Sequence, residues 1–416
     1  MPQRRLPFSV IAKPTGAACN LDCSYCFFLS KELLYDHAGQ RMSGAALRAY
    51  LANYLDAQPD GEVVVAWQGG EPTMRGLAFF REAVRLTEEL RRPRQRVTHS
   101  LQTNGTLLDE QWCEFLAEHG FLVGLSVDGP AEIHDRYRVN KAGRGSHRMV
   151  IRGWRLLQRY QVDTNILCTV HAGNQGRPLD VYRYFRDELG ARFLQFIPIV
   201  ERVEPKDLEA AERGWRSEGG ERLLYRQSGD AVTSRSVGPA AFGAFLSEIW
   251  DEWVTRDVGT VFVQHFDVTL ANFFGQHSLC VHSPECGSAL AVEHNGDVYS
   301  CDHYVEPGYL LGNATRDRFD ALLTSEFQRE FGRAKRTRLT RQCLECPVRW
   351  ACHGGCPKDR FASSAYGEPG QNYLCEGYYA FFSHIRPGIE HMARLLRAGR
   401  PASDIMGGPA ARPGDL

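Results

Sequence analysis

The chain lacks any excess of charge: 49 Lys and Arg stand against 50 Asp and Glu, for a formal net charge of −1. Without a basic surplus there is no electrostatic footprint for nucleic acid or for an anionic membrane surface. It also lacks a long apolar run. No stretch approaches the roughly 18 residues of a membrane span. The short run from Phe8 to Ala12 is too brief for a signal-peptide core and is not followed by a small-residue cleavage site. No internal repeat of fixed period is found. These absences point to a soluble, cytoplasmic protein that reads its partner with a shaped cleft. A length of 416 residues allows two or three domains with a sizeable core.

What the chain does have is cysteine, 13 in all. An odd count in a long chain does not suit a disulfide scaffold, and a reducing setting makes metal ligation the expected use. Cys19, Cys23 and Cys26 lie in one short loop. Three thiolates bind a four-iron cluster and leave one iron without a protein ligand, which makes that iron a place for chemistry. A zinc knuckle is the competing reading, but structural zinc wants four protein ligands. A second field holds eight more: Cys280, Cys286, Cys301, Cys343, Cys346, Cys352, Cys356 and Cys375. Eight thiols fully ligate two four-iron clusters. Cys343 and Cys346 alone would favour zinc, and two four-cysteine zinc sites are the alternative; beside the first loop, iron–sulfur is the more coherent choice. Spacing does not settle the pairing, although it favours Cys280, Cys286 and Cys301 with one later cysteine. Cys113 and Cys168 read as core residues of a helix and a strand.

From Phe8 to about Val200 strand-like and helix-like runs alternate. The predicted strands are Phe8–Ala12, Glu62–Trp67, Val97–Gln102, Leu122–Val127, Asn165–Val170 and Phe193–Ile199, each closed by a turn signal. The clearest helix puts Leu47, Tyr50, Leu51, Tyr54 and Leu55 on one face behind a Ser43 cap. Six β–α units imply an α/β fold with a parallel sheet curled into an open partial barrel. The loops at the C-terminal strand ends carry the cysteine triplet, Gln68-Gly69-Gly70-Glu71-Pro72, Gln102-Thr103-Asn104-Gly105 and Ser126-Val127-Asp128-Gly129-Pro130. Parallel α/β architectures place ligand sites on this rim. Glu201 to Pro239 reads as a charged linker or surface excursion. A helix carrying Phe242, Phe245, Leu246, Ile249, Trp250 and Trp253 follows, with those aromatics expected in the core. From about residue 399 onward the chain reads as a loose tail.

Asp302 follows Cys301 directly. It is either a turn or capping carboxylate or a general base held against a cluster ligand. His303 is expected to be a surface neighbour.

Cys19-x3-Cys23-x2-Cys26 with Tyr25 inside it, and Gly69-Gly70-Glu71-Pro72 after the second strand, resemble the radical S-adenosylmethionine enzymes. The later cysteines resemble their two-cluster SPASM extension. The spacings Cys280-x5-Cys286-x14-Cys301-Asp302 and Cys343-x2-Cys346-x5-Cys352-x3-Cys356 look like anaerobic sulfatase-maturating enzymes. So do the runs Cys352 to Phe361, Asn372 to Cys375 and Gly399 to Met406, and the likeness extends from about residue 7 to 406. It implies a partial (β/α)6 barrel of the radical S-adenosylmethionine type over residues 1–235 and a connecting helical segment over 236–275. A SPASM domain over 276–385 and a C-terminal helix with a tail over 386–416 would complete the chain.

The resemblance further implies three [4Fe-4S] clusters and S-adenosylmethionine. Cys19, Cys23 and Cys26 would hold the first cluster; Cys280, Cys286, Cys301 and Cys356 the nearer auxiliary cluster; Cys343, Cys346, Cys352 and Cys375 the farther one. Gly69 and Gly70 would let backbone approach the methionine moiety. Tyr25, Ser126 and Arg138 would contact the cosubstrate, with Ile199 or Val200 packed on it. The implied reaction converts a Ser or Cys of an unfolded or nascent sulfatase to formylglycine. In it a 5′-deoxyadenosyl radical takes the Cβ hydrogen, Asp302 the proton and the nearer cluster the electron. A flavodoxin- or ferredoxin-type protein would be the donor. The runner-up enzyme is a radical maturase of a ribosomal peptide, but many of these carry an N-terminal peptide-binding domain for which Cys19 comes too early. The non-enzyme alternative is an iron–sulfur electron carrier, which has little use for an open iron or for glycine-bearing rim loops.

Overall fold

The computed structural model describes residues 7–35, 41–215 and 223–407. Six strands alternate with helices: β1 (Ser9–Ala12), β2 (Gly61–Trp67), β3 (Gln95–Thr103), β4 (Leu122–Ser126), β5 (Thr164–Val170) and β6 (Phe193–Pro198). Each is parallel to its sequence neighbour, as expected where a helix returns the chain between strands. Past β6 the two-residue strand Phe262–Val263 adds in parallel. Beyond β1 the chain adds Ala289–Val292, also parallel, and then the antiparallel strands Asp297–Tyr299 and Leu310–Asn313. The outermost strands do not meet each other, so the ten-stranded sheet stays open. One consequence is that residues 289–313, from the cysteine-rich part of the sequence, share a sheet with the first half.

Local sequence explains the elements. In helix Gly44–Ala57 the Ser43 hydroxyl accepts from the Ala46 amide at 3.1 Å, and Leu47, Tyr50, Leu51, Tyr54 and Leu55 are all buried. These side chains meet Trp67 of β2 and Phe80 of helix Leu77–Leu90 in the main core. Cys113 lies in helix Glu110–Glu118 and Cys168 in β5, both fully buried. On the far side, helix Pro239–Arg256 packs on the long helix Cys375–Arg397. The approach is so close that a Cβ on Gly377 would lie 2.0 Å from the Pro239 carbonyl oxygen. This contact fastens the end of the chain to the connecting segment.

Three expectations require correction. The stretch from Glu201 to Pro239 is not a free linker. Glu201 and Arg235 form a fully buried ion pair, and Trp215 and Tyr225 close a small core of their own with Val203 and Ala211. Buried charges tolerate such a place only when paired and hydrogen-bonded, and Trp215 and Thr233 supply the extra donors to Glu201. Nor is the chain loose from residue 399: Ala402–Gly407 forms a helical turn with Ile405 buried in the main core. The final helix also begins earlier than 386, at Cys375. The remaining tail, 408–416, lies outside the described residues.

Candidate active site

The cysteine loop leaves β1 and runs into a short helix, Phe27–Leu34. Backbone bonds fix its path: the Asp22 amide donates to Val139 and the Ser24 amide to Tyr137, at 2.8 and 2.9 Å. The Leu21 amide points at the Cys19 sulfur at 3.3 Å, and the Asn104 side-chain amide lies 3.7 Å from it. Burial raises all three thiols, Cys23 to about 12 even though Arg138 acts against the rise. Thiols so placed stay protonated until a metal replaces the proton.

The glycine loop after β2 packs directly on the cysteine loop. The Gly70 amide donates to Gly16 and the Glu71 amide to Ala18, both at 2.8 Å. A Cβ at Gly70 would fall 2.1 Å from the Ala18 carbonyl oxygen, and Gly69 sits at φ +132°, a region L side chains rarely enter. Both glycines are thus required by this backbone approach, whatever else they serve. Glu71, fully buried, ties the rim together. Its Oε1 accepts from the Thr73 and Thr103 hydroxyls and its Oε2 from the Asn104 amide.

Asp128, in the loop after β4, is the second organiser. Its Oδ2 accepts from the Tyr25 hydroxyl at 2.6 Å and from Arg138 Nε at 2.9 Å, while Oδ1 accepts from the Thr169 amide at 3.0 Å. Burial works to raise its carboxyl, but Arg138 and His171 hold it far below the usual range. Tyr25, Arg138 and Cys23 are thereby brought together. Ser126 is buried at the end of β4. Of the pair after β6, Ile199 packs on Leu21, Cys23 and Tyr25, whereas Val200 turns into the main core.

The eight later thiols fall into two groups. Cys301, Cys356 and Cys280 act on one another electrostatically, and Cys280 acts on Cys286. Cys352, Cys375, Cys343 and Cys346 form the other group. Cys356 thus acts on the first group rather than on the second. Each group offers four sulfurs, the donor set of a fully ligated four-iron cluster. Among the described residues no three Cys, His, Asp or Glu side chains close around a single ion-sized point.

Asp302 joins the two halves. It opens a helical turn after Cys301 and is ion-paired with Lys13, which is 1% exposed at the end of β1. The Lys13 ammonium also lies over the Phe28 ring, 3.8 Å from its centroid. Burial alone would raise the Asp302 carboxyl, but Lys13, His303 and Lys31 bring it below the ordinary value. His303 is half-buried against Phe27 rather than on the surface. Sequence reasoning missed Glu71, Asp128 and Lys13 as organisers. The first two stood in rim loops already marked, whereas nothing near Lys13 in sequence announces a partner 289 residues away.

Comparison with known proteins agrees with this geometry. The model of the radical SAM superfamily matches residues 14–184, and that of the SPASM iron–sulfur cluster-binding domain matches 284–347. The chain is thus a radical SAM enzyme with a SPASM domain, and its cofactors are [4Fe-4S] clusters and S-adenosylmethionine. The serine-type anaerobic sulfatase-maturating enzyme of Bacteroides thetaiotaomicron is 42% identical over 96% of this chain and 94% of its own length. The cysteine-type enzyme of Clostridium perfringens is 31% identical over 94% of this chain and all of its own. A solved structure, anSMEcpe with bound AdoMet and a Cp18Cys peptide, superposes with a TM-score of 0.78 at 31% identity, covering 94% of this chain and 99% of that one. This chain belongs to the anaerobic sulfatase-maturating enzymes. Its likeness to Streptococcus suis SuiB, at 15% identity and a TM-score of 0.59, concerns the fold alone. Among the described residues no helix is long and apolar enough to cross a membrane.

Proposed function

We propose that this enzyme oxidises a seryl residue of an unfolded or nascent sulfatase to formylglycine, with Asp302 as the base; cysteine in the same place is the alternative substrate. Relatives named serine-type are 42% and 36% identical, those named cysteine-type 31% and 29%, which supports serine. The observation that carries the mechanism is the Asp302 carboxylate, adjacent to Cys301 in sequence and ion-paired with Lys13 of the barrel.

In this reading Cys19, Cys23 and Cys26 would hold the first cluster, and Gly69, Gly70, Tyr25, Ser126, Arg138 and Ile199 would line the S-adenosylmethionine site. Cys280, Cys286, Cys301 and Cys356 would hold the inner auxiliary cluster, and Cys343, Cys346, Cys352 and Cys375 the outer. Residues 1–235 would act as barrel, 236–275 as connector and 276–374 as SPASM domain, with the helix Cys375–Arg397 closing the chain. When bound, these groups supply two one-electron chemistries: a 5′-deoxyadenosyl radical to take the Cβ hydrogen, and an acceptor for the electron left on carbon. Asp302 receives the hydroxyl proton. Its lowered proton affinity suits the task, because a hydroxyl on a radical carbon is far more acidic than an alcohol, so a weak base suffices. Lys13 keeps the carboxylate ionised and aimed. Asp128 holds Tyr25 and Arg138 against the cysteine loop, and Glu71 keeps two rim loops in register. The serine leaves as an aldehyde, two hydrogens lighter. A flavodoxin- or ferredoxin-type donor in the cytoplasm fits a chain whose cysteines are all free.

The test is anaerobic incubation of the Asp302→Asn enzyme with Ser- and Cys-containing sulfatase peptides, read by mass. We expect 5′-deoxyadenosine to form while formylglycine falls by about 10²- to 10⁴-fold, the usual worth of a positioned base. Formylglycine at the wild-type rate would remove Asp302 from the role.

A further inference from the structure

Lys335 is fully buried in helix Glu326–Thr337, and among the described residues no carboxylate is one of the groups that act on it most strongly. Its ammonium donates to the carbonyl oxygens of Cys280 and Val281. The charged groups that act on it most strongly are the Cys356, Cys280 and Cys286 thiols, opposed by the Arg360 guanidinium. Arg360 is placed in a similar way. Its hydrogen bonds go to the carbonyls of Gly354, Lys335, His353 and Gly355, and its strongest opposite charges are Cys343, Cys356, Cys352 and Cys286, drawn from both thiol groups. Other lysines near the site have carboxylates acting on them: Lys13 is paired with Asp302, the part-buried Lys358 with Asp359 at 2.7 Å, and the buried Lys31, which donates to the Tyr225 carbonyl, has Glu306, Asp302 and Glu293 acting on it.

A cation withdrawn from water without an anion is costly to fold around. Here the groups that act most strongly in favour of the cation are the sulfurs, which become anions once a metal has taken their protons. A four-iron cluster with four thiolates carries net negative charge and gains one more unit when reduced, so a fixed cation beside it favours the reduced form. Net charge and hydrogen bonding around the sulfurs are what set such potentials.

We propose that Lys335 is a built-in counter-ion for the cluster held by Cys280, Cys286, Cys301 and Cys356, and that it raises the reduction potential of that cluster. This rests on the ligand sets assigned above. Lys335 touches no substrate; it is a positioning residue that acts through charge. A higher potential makes the inner site a better acceptor for the electron that leaves the substrate carbon beside Asp302. Arg360, lying between the groups, acts on both, so Lys335 is what distinguishes inner from outer.

The experiment uses enzyme reconstituted with iron and sulfide in which Cys19→Ala, Cys23→Ala and Cys26→Ala together remove the first cluster. Only auxiliary signals then remain in a redox titration followed by electron paramagnetic resonance. K335Q is expected to move the midpoint of one auxiliary signal to lower potential, K335R to leave it near the unsubstituted value, and the second signal to stay put in both. Loss of the inner cluster in K335Q but not in K335R also supports the counter-ion, because it shows that charge rather than shape is needed. An unmoved midpoint in K335Q, or the same shift or loss in both variants, overturns it. Iron analysis of Cys356→Ala tests the ligand set separately. Retention of all auxiliary iron there overturns the set and the counter-ion together, whereas loss of four irons with an unmoved K335Q midpoint overturns the counter-ion alone.

Discussion

The barrel and the thiol-rich half place their sulfurs by different means. Between β1 and β6 long strands and helices bury an aromatic and aliphatic core, and one loop of three thiols rides on top. Between 276 and 385, apart from helix Glu326–Thr337 and the start of helix Cys375–Arg397, the elements are short: strands have three or four residues, and the helices Arg341–Leu344 and Arg349–Cys352 only four. Turns this short bury too little to order themselves. The barrel is therefore expected to hold its loop ready without metal, and the second half to draw part of its stability from what its thiols bind. The difference suits the work. In the proposed scheme the first site would leave an iron open to a cosubstrate and need a rigid rim, whereas the others would need only be closed and near one another.

The sharpest way to break this comparison is to delete one thiol in each half. Cys23→Ala should abolish 5′-deoxyadenosine formation and leave the fold intact. Cys352→Ala should keep some 5′-deoxyadenosine formation, lose about four irons and lose formylglycine. If both variants lost 5′-deoxyadenosine equally, the two halves would not be separable. Next in size is iron removal by chelation, followed by hydrogen exchange. Protection should collapse around Arg341–Leu344 and Arg349–Cys352 and persist in β2, β3 and β5. Uniform loss would show that the barrel too depends on metal.

Within the barrel, Glu71→Gln strips charge from a buried acceptor of four hydrogen bonds. Bonds to charged groups contribute about 1.5–3 kcal/mol each, so a loss of roughly 2–4 kcal/mol in urea stability is expected, with weaker S-adenosylmethionine binding by calorimetry. A stability change within about 0.5 kcal/mol, the range of an ordinary surface substitution, would make Glu71 dispensable. The smallest effect concerns pH. His99 lies buried between the Trp67 and Phe121 rings and accepts from Trp67 Nε1 at 3.1 Å. Burial, helped by His119, lowers it to about 4. A folded-state value below the unfolded 6.5 means stability is complete above pH 6.5 and declines as pH falls toward 4, by roughly 3 kcal/mol at most. Urea midpoints across that window should fall in the wild type and flatten in His99→Gln; equal slopes would acquit His99.

Much of this was legible beforehand where the signal is local. The six strands lie within two residues of their expected ends, the Ser43 cap caps, and Cys113 and Cys168 are core. Periodicity and turn chemistry act over a few residues, so a sequence displays them directly. Residues 201–239 misled because charge was read as exposure. Glu201 and Arg235 are 34 positions apart, and only packing reveals that they neutralise each other.

The sequence by itself therefore determined the order of strands and helices, the three-thiol loop on the rim and the presence of eight further thiols. These follow from spacing and patterning along the chain. Tertiary structure alone decided that Ile199 rather than Val200 faces the cysteine loop, that Glu201 meets Arg235 and that Lys13 meets Asp302. Each joins residues far apart in the chain or chooses between neighbours, and such a choice depends on which surfaces close together when water is expelled, a property no short window of sequence contains.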